Sequence, residues 1–253
     1  MVGIPAILCV IFFKIVVTFP GIMLLYDKAI AYLQRPRHRR TSQQRARDIM
    51  GRNFFGVEEG IKHFSINPTP SQLESLAHEV PFSEEVLQSC RDTHVLVADF
   101  GLSIMEIRNL HKDLFYTPPW YSEKELEPPY HDTEFDFVRW YFTKPFAVDR
   151  ERPSWRLVRK DIVPGSAGKV WAEQQGLISR DETTPGARIM VYAIIAHYLS
   201  RGERLFKYTY ARCLDMTSLD RRVHVGYFVD GLCIAEFCYD GSLHNIGLAA
   251  VRK

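Results

Sequence analysis

Apolar residues run almost unbroken from Val2 to Tyr26, interrupted by the single charge of Lys14. That length fits the roughly 20 residues that cross a bilayer. Lys14 would then sit near the membrane centre, at about 2.5–3.5 kcal/mol on the insertion scale, and Pro20 would kink the helix. The run lacks the basic leader of a secretory signal. Basic residues follow at Lys28, Arg35, Arg37, Arg39, Arg40, Arg45, Arg47 and Arg52, against Asp27 and Asp48. If residues 1–26 span, the positive-inside rule keeps the body in the cytoplasm, with membrane contact through Val2–Tyr26 and Lys28–Arg52. The alternative is a mis-called start, with translation beginning at Met23 or Met50. Residues 27–52 read as a basic linker, solvated because no cluster of aromatics joins its charges.

From Asn53 the pattern becomes that of a folded body. Phe54, Phe55, Val57, Ile61 and Phe64 have helical spacing up to Asn67-Pro68, and Thr69 and Ser83 start two further helices. The β-branched run Thr93–Phe100 reads as a buried strand and Leu102–Leu110 as a helix, giving a mainly helical region over residues 53–115. Prolines between Tyr116 and Tyr130 mark a boundary. Beyond it, Trp155–Ile162 alternates like a strand, Lys169–Ile178 is a short helix, and Gly186–Arg201 is a longer one. That longer helix carries Met190, Ile194, Ile195, Tyr198 and Leu199 on one face, with His197 off it towards solvent. Strands follow at Lys207–Cys213, Arg222–Phe228, Leu232–Tyr239 and Asn245–Arg252, with turns at Asp230-Gly231 and Asp240-Gly241. This is an α+β order, strand, two helices and then antiparallel strands, not alternating βαβ units.

The 253 residues are 46% hydrophobic and 25% charged, which excludes a disordered or collagen-like chain. A formal charge of +2 supplies no body-wide field for DNA or RNA, so no specific nucleic-acid partner is expected. Cys9, Cys90, Cys213, Cys233 and Cys238 form no CxxC pair, which argues against a disulfide scaffold or structural zinc site and for a reducing compartment.

Several motifs suggest chemistry and lack its context. Asp99-Phe100-Gly101 matches a kinase magnesium segment, yet no His-Arg-Asp loop accompanies it. Gly165-Ser166-Ala167-Gly168-Lys169 is too short between its glycines for a phosphate loop, and Val170 stands where Ser or Thr would hold magnesium. His131, Asp132, Glu134 and Asp136 are hard-metal ligand types without a second cluster, and read as an acidic loop. Cys213 and Cys90, with His197 or His224 as base, have no spacing that joins them, and Cys213 falls in the phase of a core residue. No catalytic residue, metal or cofactor is assigned.

The last segment, 222–253, has regular scaffold positions: Val223, Val225, Gly226, Phe228, Asp230-Gly231-Leu232, then Ile246-Gly247-Leu248-Ala249-Ala250-Val251-Arg252-Lys253. Between them stand Tyr227, Cys233, Ala235, Glu236, Phe237, Cys238, Tyr239, Ser242, Leu243 and His244. An edge hairpin usually carries Lys, Thr or Glu there, whereas aromatic and small groups suit an adaptable binding surface. The alternative is a hairpin buried against the Gly186–Arg201 helix, since Phe and Cys are commonly interior.

This pattern resembles the C-terminus of variable proteins from diversity-generating retroelements, which have a C-type-lectin-like fold related to formylglycine-generating enzymes. The resemblance implies a C-type-lectin-like domain over residues 116–253. It also implies adenine-directed mutagenesis that turns template asparagine codons into Tyr, Phe, Cys, Ser, Leu, His, Ala or Asp. Glu236 is not reachable from an asparagine codon by adenine changes alone. The implied function is non-enzymatic ligand binding through Tyr227, Cys233, Ala235, Glu236, Phe237, Cys238, Tyr239, Ser242, Leu243 and His244. A protein is the first expected ligand, with a sugar or small molecule second. The rivals are a copper oxidase of the formylglycine-generating type using Cys233 and Cys238, and a membrane-tethered structural protein.

Overall fold

The computed structural model describes residues 40–77, 79–119, 138–217, 221–236 and 243–253. The expectations for Val2–Tyr26, His131–Asp136 and the tip of the last hairpin lie outside those residues. Among the described residues no helix is long and apolar enough to cross a membrane.

Part of the basic stretch is helical. Thr41 opens α1 (Ser42–Met50) with a capping box, its hydroxyl accepting from the Gln44 amide while the Gln44 side chain accepts from Thr41 N–H. Ala46 and Met50 are buried, and Arg45 and Arg47 pair with Glu84 and Glu59. Phe54–Phe55, expected at the head of a helix, instead form the short strand β1, and α2 (Val57–Phe64) begins after Gly56. Two adjacent, buried phenylalanines need cover on both sides, which a strand of a sheet covered on both faces provides and a one-sided helix does not. Helices α3 (Pro70–Ala77) and α4 (Glu84–Cys90) start where Thr69 and Ser83 accept from the amides three residues on. The strand β2 (His94–Asp99) is buried throughout, and α5 (Ile104–Leu110) follows from a Ser103 cap.

After the short α6 (Pro145–Val148), β3 (Ser154–Arg159) pairs antiparallel with the full length of β2. Then come α7 (Trp171–Gln175), β4 (Glu182–Thr183) and α8 (Ala187–Arg201). The one-sided stripe expected for α8 is a misreading. Every residue from Ala187 to His197 is buried, including His197 at 3% exposure, because α8 packs against β2 and both neighbouring layers of strands and helices. A helix walled in on all sides has no solvated face to pattern.

The final strands are β5 (Tyr210–Met216), β6 (Arg222–Gly226), β7 (Cys233–Glu236), β8 (Ile246–Leu248) and β9 (Val251–Arg252). The single strand expected at Asn245–Arg252 divides. β8 lies parallel to β5, and β9 crosses to sit between β3 and β4. Ala249 N–H donates to Arg212 O at 3.0 Å, and Ala250 O accepts from Arg159 N–H at 3.0 Å, so this dipeptide bridges the two sheets. The sheets run β1-β2-β3-β9-β4 and β7-β6-β5-β8. Both are mixed, where antiparallel pairing was expected, since β1–β2 and β5–β8 are parallel. The architecture is α+β, and Phe54, Leu96 and Ile107 share one hydrophobic core with Ile194, Val225 and Val251.

Two of the motif-like stretches serve this frame. Asp99 is fully buried and receives Arg188 at 2.6 Å and the Gly101 amide at 2.8 Å, while Arg188 also reaches Glu151 at 2.8 Å. Ser166 accepts from Leu248 N–H at 2.8 Å and donates to Val163 O at 2.6 Å, so the glycine turn clasps β8.

Candidate functional site

Strand register divides the second sheet into two faces. Tyr210 stands opposite Gly226, and Gly226 opposite Cys233; Arg212, His224 and Ala235 form the next such row. Residues directly opposite one another, and those two apart, share a face. Cys233 and Ala235 therefore lie on one side with Tyr210, Arg212 and His224. Ala211, Val223, Val225 and Ile234 lie on the other, buried in the core. Glu236 stands opposite Val223, away from Cys233 and Ala235, and its carboxylate meets Arg221 at 3.5 Å. The proposed contact residues are thus not all on one face.

The middle of the outer face is sealed. Arg212 and His224, 2% and 1% exposed, meet Nε to Nε2 at 3.2 Å, and Arg212 also donates to Gln174 Oε1 on α7 at 3.0 Å. Burial, and then the neighbouring guanidinium, hold His224 down at about 3, so its ring is neutral and accepts from Arg212. The alternation of β5 placed Arg212 outward, and what it could not show was the cover supplied by α7.

The end of the face is open. The Tyr210 and Tyr227 rings stack at 5.5 Å with planes 9° apart, and Tyr227 is 41% exposed. Gly226 makes this possible, because its φ of 148° and the 2.3 Å approach of Thr209 O to any added Cβ leave room for no side chain between Tyr210 and Cys233. Burial pushes the Tyr210 phenol above its ordinary range, with Cys233, Tyr227 and Tyr116 adding to it. The half-buried Cys233 thiol is also pushed up by burial, against the opposing Tyr210 hydrogen bond. A thiol held protonated in this way is a poor nucleophile and a poor soft-metal ligand. Among the described residues no three His, Cys, Asp or Glu groups gather to hold a metal. Cys213, pushed far up by complete burial, lies on the opposite face from His224, so the two cannot act together.

The hairpin is braced by residues that precede β3. Tyr116 N–H donates to Leu232 O at 3.1 Å, Leu232 N–H to Leu114 O at 2.7 Å, and the Trp140 indole to Ile234 O at 3.3 Å. These bonds cover the free edge of β7. Leu243 and His244 are exposed, where Gly168 N–H donates to Leu243 O at 3.3 Å and Tyr210 N–H to Asn245 O at 2.8 Å. Phe237, Cys238, Tyr239 and Ser242 lie outside the described residues. Tyr210 and Tyr116 were not foreseen as parts of this surface, although Tyr210 shares the alternation phase of Arg212. No protein-family model matches the chain, and neither a curated protein nor a solved structure gives a significant match.

Proposed function

We propose that the chain is a non-enzymatic target-recognition protein whose C-terminal surface is diversified, a variable protein of a diversity-generating retroelement on a C-type-lectin-like frame, with another protein as ligand. The observation that carries this reading is the partition of β7. Cys233 and Ala235, both half-buried, lie on the face away from the core, while Ile234 between them is buried in it, so side chains can change on one face without entering the core. Glu236, which adenine changes cannot produce from an asparagine codon, lies on the inner side with Arg221. The order from β3 through α7 and α8 to β9, with β9 returning beside β3, supports the lectin-like frame. A rigid frame lowers the ordering cost of binding, so side-chain identity can set affinity.

The test has two arms. A near-copy of the gene's 3′ end, differing mainly at adenines and lying beside a reverse transcriptase gene, is the expected genomic context; its absence contradicts the diversification. Panning the full chain against a phage-displayed library of random 12-residue peptides should enrich binders that Cys233→Arg and Ala235→Arg abolish. Failure to enrich any peptide contradicts protein recognition.

A further inference from the structure

Among the described residues three non-glycine positions have positive φ: Ser65, Phe206 and Tyr227. Ser65 closes α2 in the left-handed conformation that helix ends commonly adopt. Phe206 is 5% exposed and packs in the core, which holds it in place. Tyr227, at φ 49°, has neither reason, being outside the helices and 41% exposed.

The backbone around Tyr227 explains how the conformation is imposed. Its N–H donates to Thr209 O at 2.8 Å, and its carbonyl accepts from Val229 N–H at 2.9 Å. Gly226 on one side and the buried Phe228 on the other fix the path of the chain. Position 227 is therefore left-handed because of the frame, whichever residue occupies it. An aromatic residue suits such a position poorly, and Gly or Asn suits it best. Steric strain that persists on an exposed, ring-stacked side chain points to a role outside folding.

We infer that Tyr227 is a specificity-determining contact kept at the expense of stability, and that Tyr210, outside the diversified positions, is the fixed platform holding its ring. This rests on the reading of the surface as a peptide-recognition site. The ligand chemistry that fits is a peptide segment placing an apolar or guanidinium group on the outer face of the Tyr227 ring.

Thermal unfolding of the full chain is compared with Tyr227→Gly, Tyr227→Asn and Tyr227→Ala, and affinities are measured for the panned peptides. Tyr227→Ala keeps the strain, loses the stack and should lower the midpoint. Tyr227→Gly and Tyr227→Asn lose the same stack but relieve the strain, and should melt about 2–4 °C above Tyr227→Ala, the shift for roughly 1 kcal/mol in a body of this size. All three should weaken the enriched peptides about tenfold or more, and Tyr210→Ala should do so while Tyr210→Phe does not. Midpoints for Gly and Asn no higher than that of Ala would show that position 227 carries no strain and overturn the inference. Peptide affinities unchanged within twofold would do the same, while loss of binding on Cys233→Arg would leave the wider reading standing.

Discussion

Arg188 is 3% exposed, and its guanidinium is shared between Asp99 and Glu151. Replacing it with methionine leaves the fully buried Asp99 carboxylate without its nearest cation, and breaking such a pair typically destabilises by about 3–5 kcal/mol. Urea denaturation of Arg188→Met should show a loss of that size. His224 makes a prediction in pH. Its folded pKa is about 3, below the ordinary histidine value, so the unfolded chain takes up a proton that the native state refuses. Its contribution is fully present above about pH 6.5 and is lost as pH falls towards 3, at up to roughly 1.4 kcal/mol per pH unit. Urea midpoints measured from pH 7 to pH 4 should therefore fall less steeply in His224→Gln. Cys213 could be placed in the core from alternation alone. Arg212 could not, because burial of a charge depends on Gln174 and Lys169, far away in sequence, arriving over it.

Helix starts were legible because capping is local: Thr69 and Ser83 act on amides three residues downstream. The β2 run was legible for a similar reason, since unbroken β-branched residues tolerate burial on both faces. What the sequence hid was decided by partners. α8 looked amphipathic because periodicity assumes a solvated side, and Asn245–Arg252 looked continuous because nothing local says that its halves join different sheets. The clasp on β8 is correspondingly fragile. Ser166→Ala removes the acceptor of the buried Leu248 amide, and leaving such a donor unmet should destabilise by about 1–3 kcal/mol, measured by urea unfolding. Gly231→Ala tests the edge brace. At φ 149° its added Cβ would meet Tyr116 N at 2.5 Å, so the variant should lose stability and expose the β7 edge, seen as faster amide exchange at Leu232.

The N-terminal helices and the C-terminal strands form one body. Their residues enter the same hydrophobic core, and Leu114–Tyr116 and Trp140 close the edge of the hairpin. Composition pointed to a folded body, but the sharing of one core between the two regions is a matter of tertiary packing that the proline boundary concealed. The account rests on a stiff sheet whose outer groups can change while its inner groups cannot. The direct measurement is a display library with every residue substituted singly at Tyr227, Cys233, Ala235, Val225 and Ile234, scored by resistance to protease. The account predicts broad tolerance at 233 and 235, a preference for Gly or Asn over β-branched residues at 227, and intolerance at 225 and 234, with Ile234→Ala alone losing about 2–5 kcal/mol. Equal intolerance at 233, 235 and 234 would contradict it.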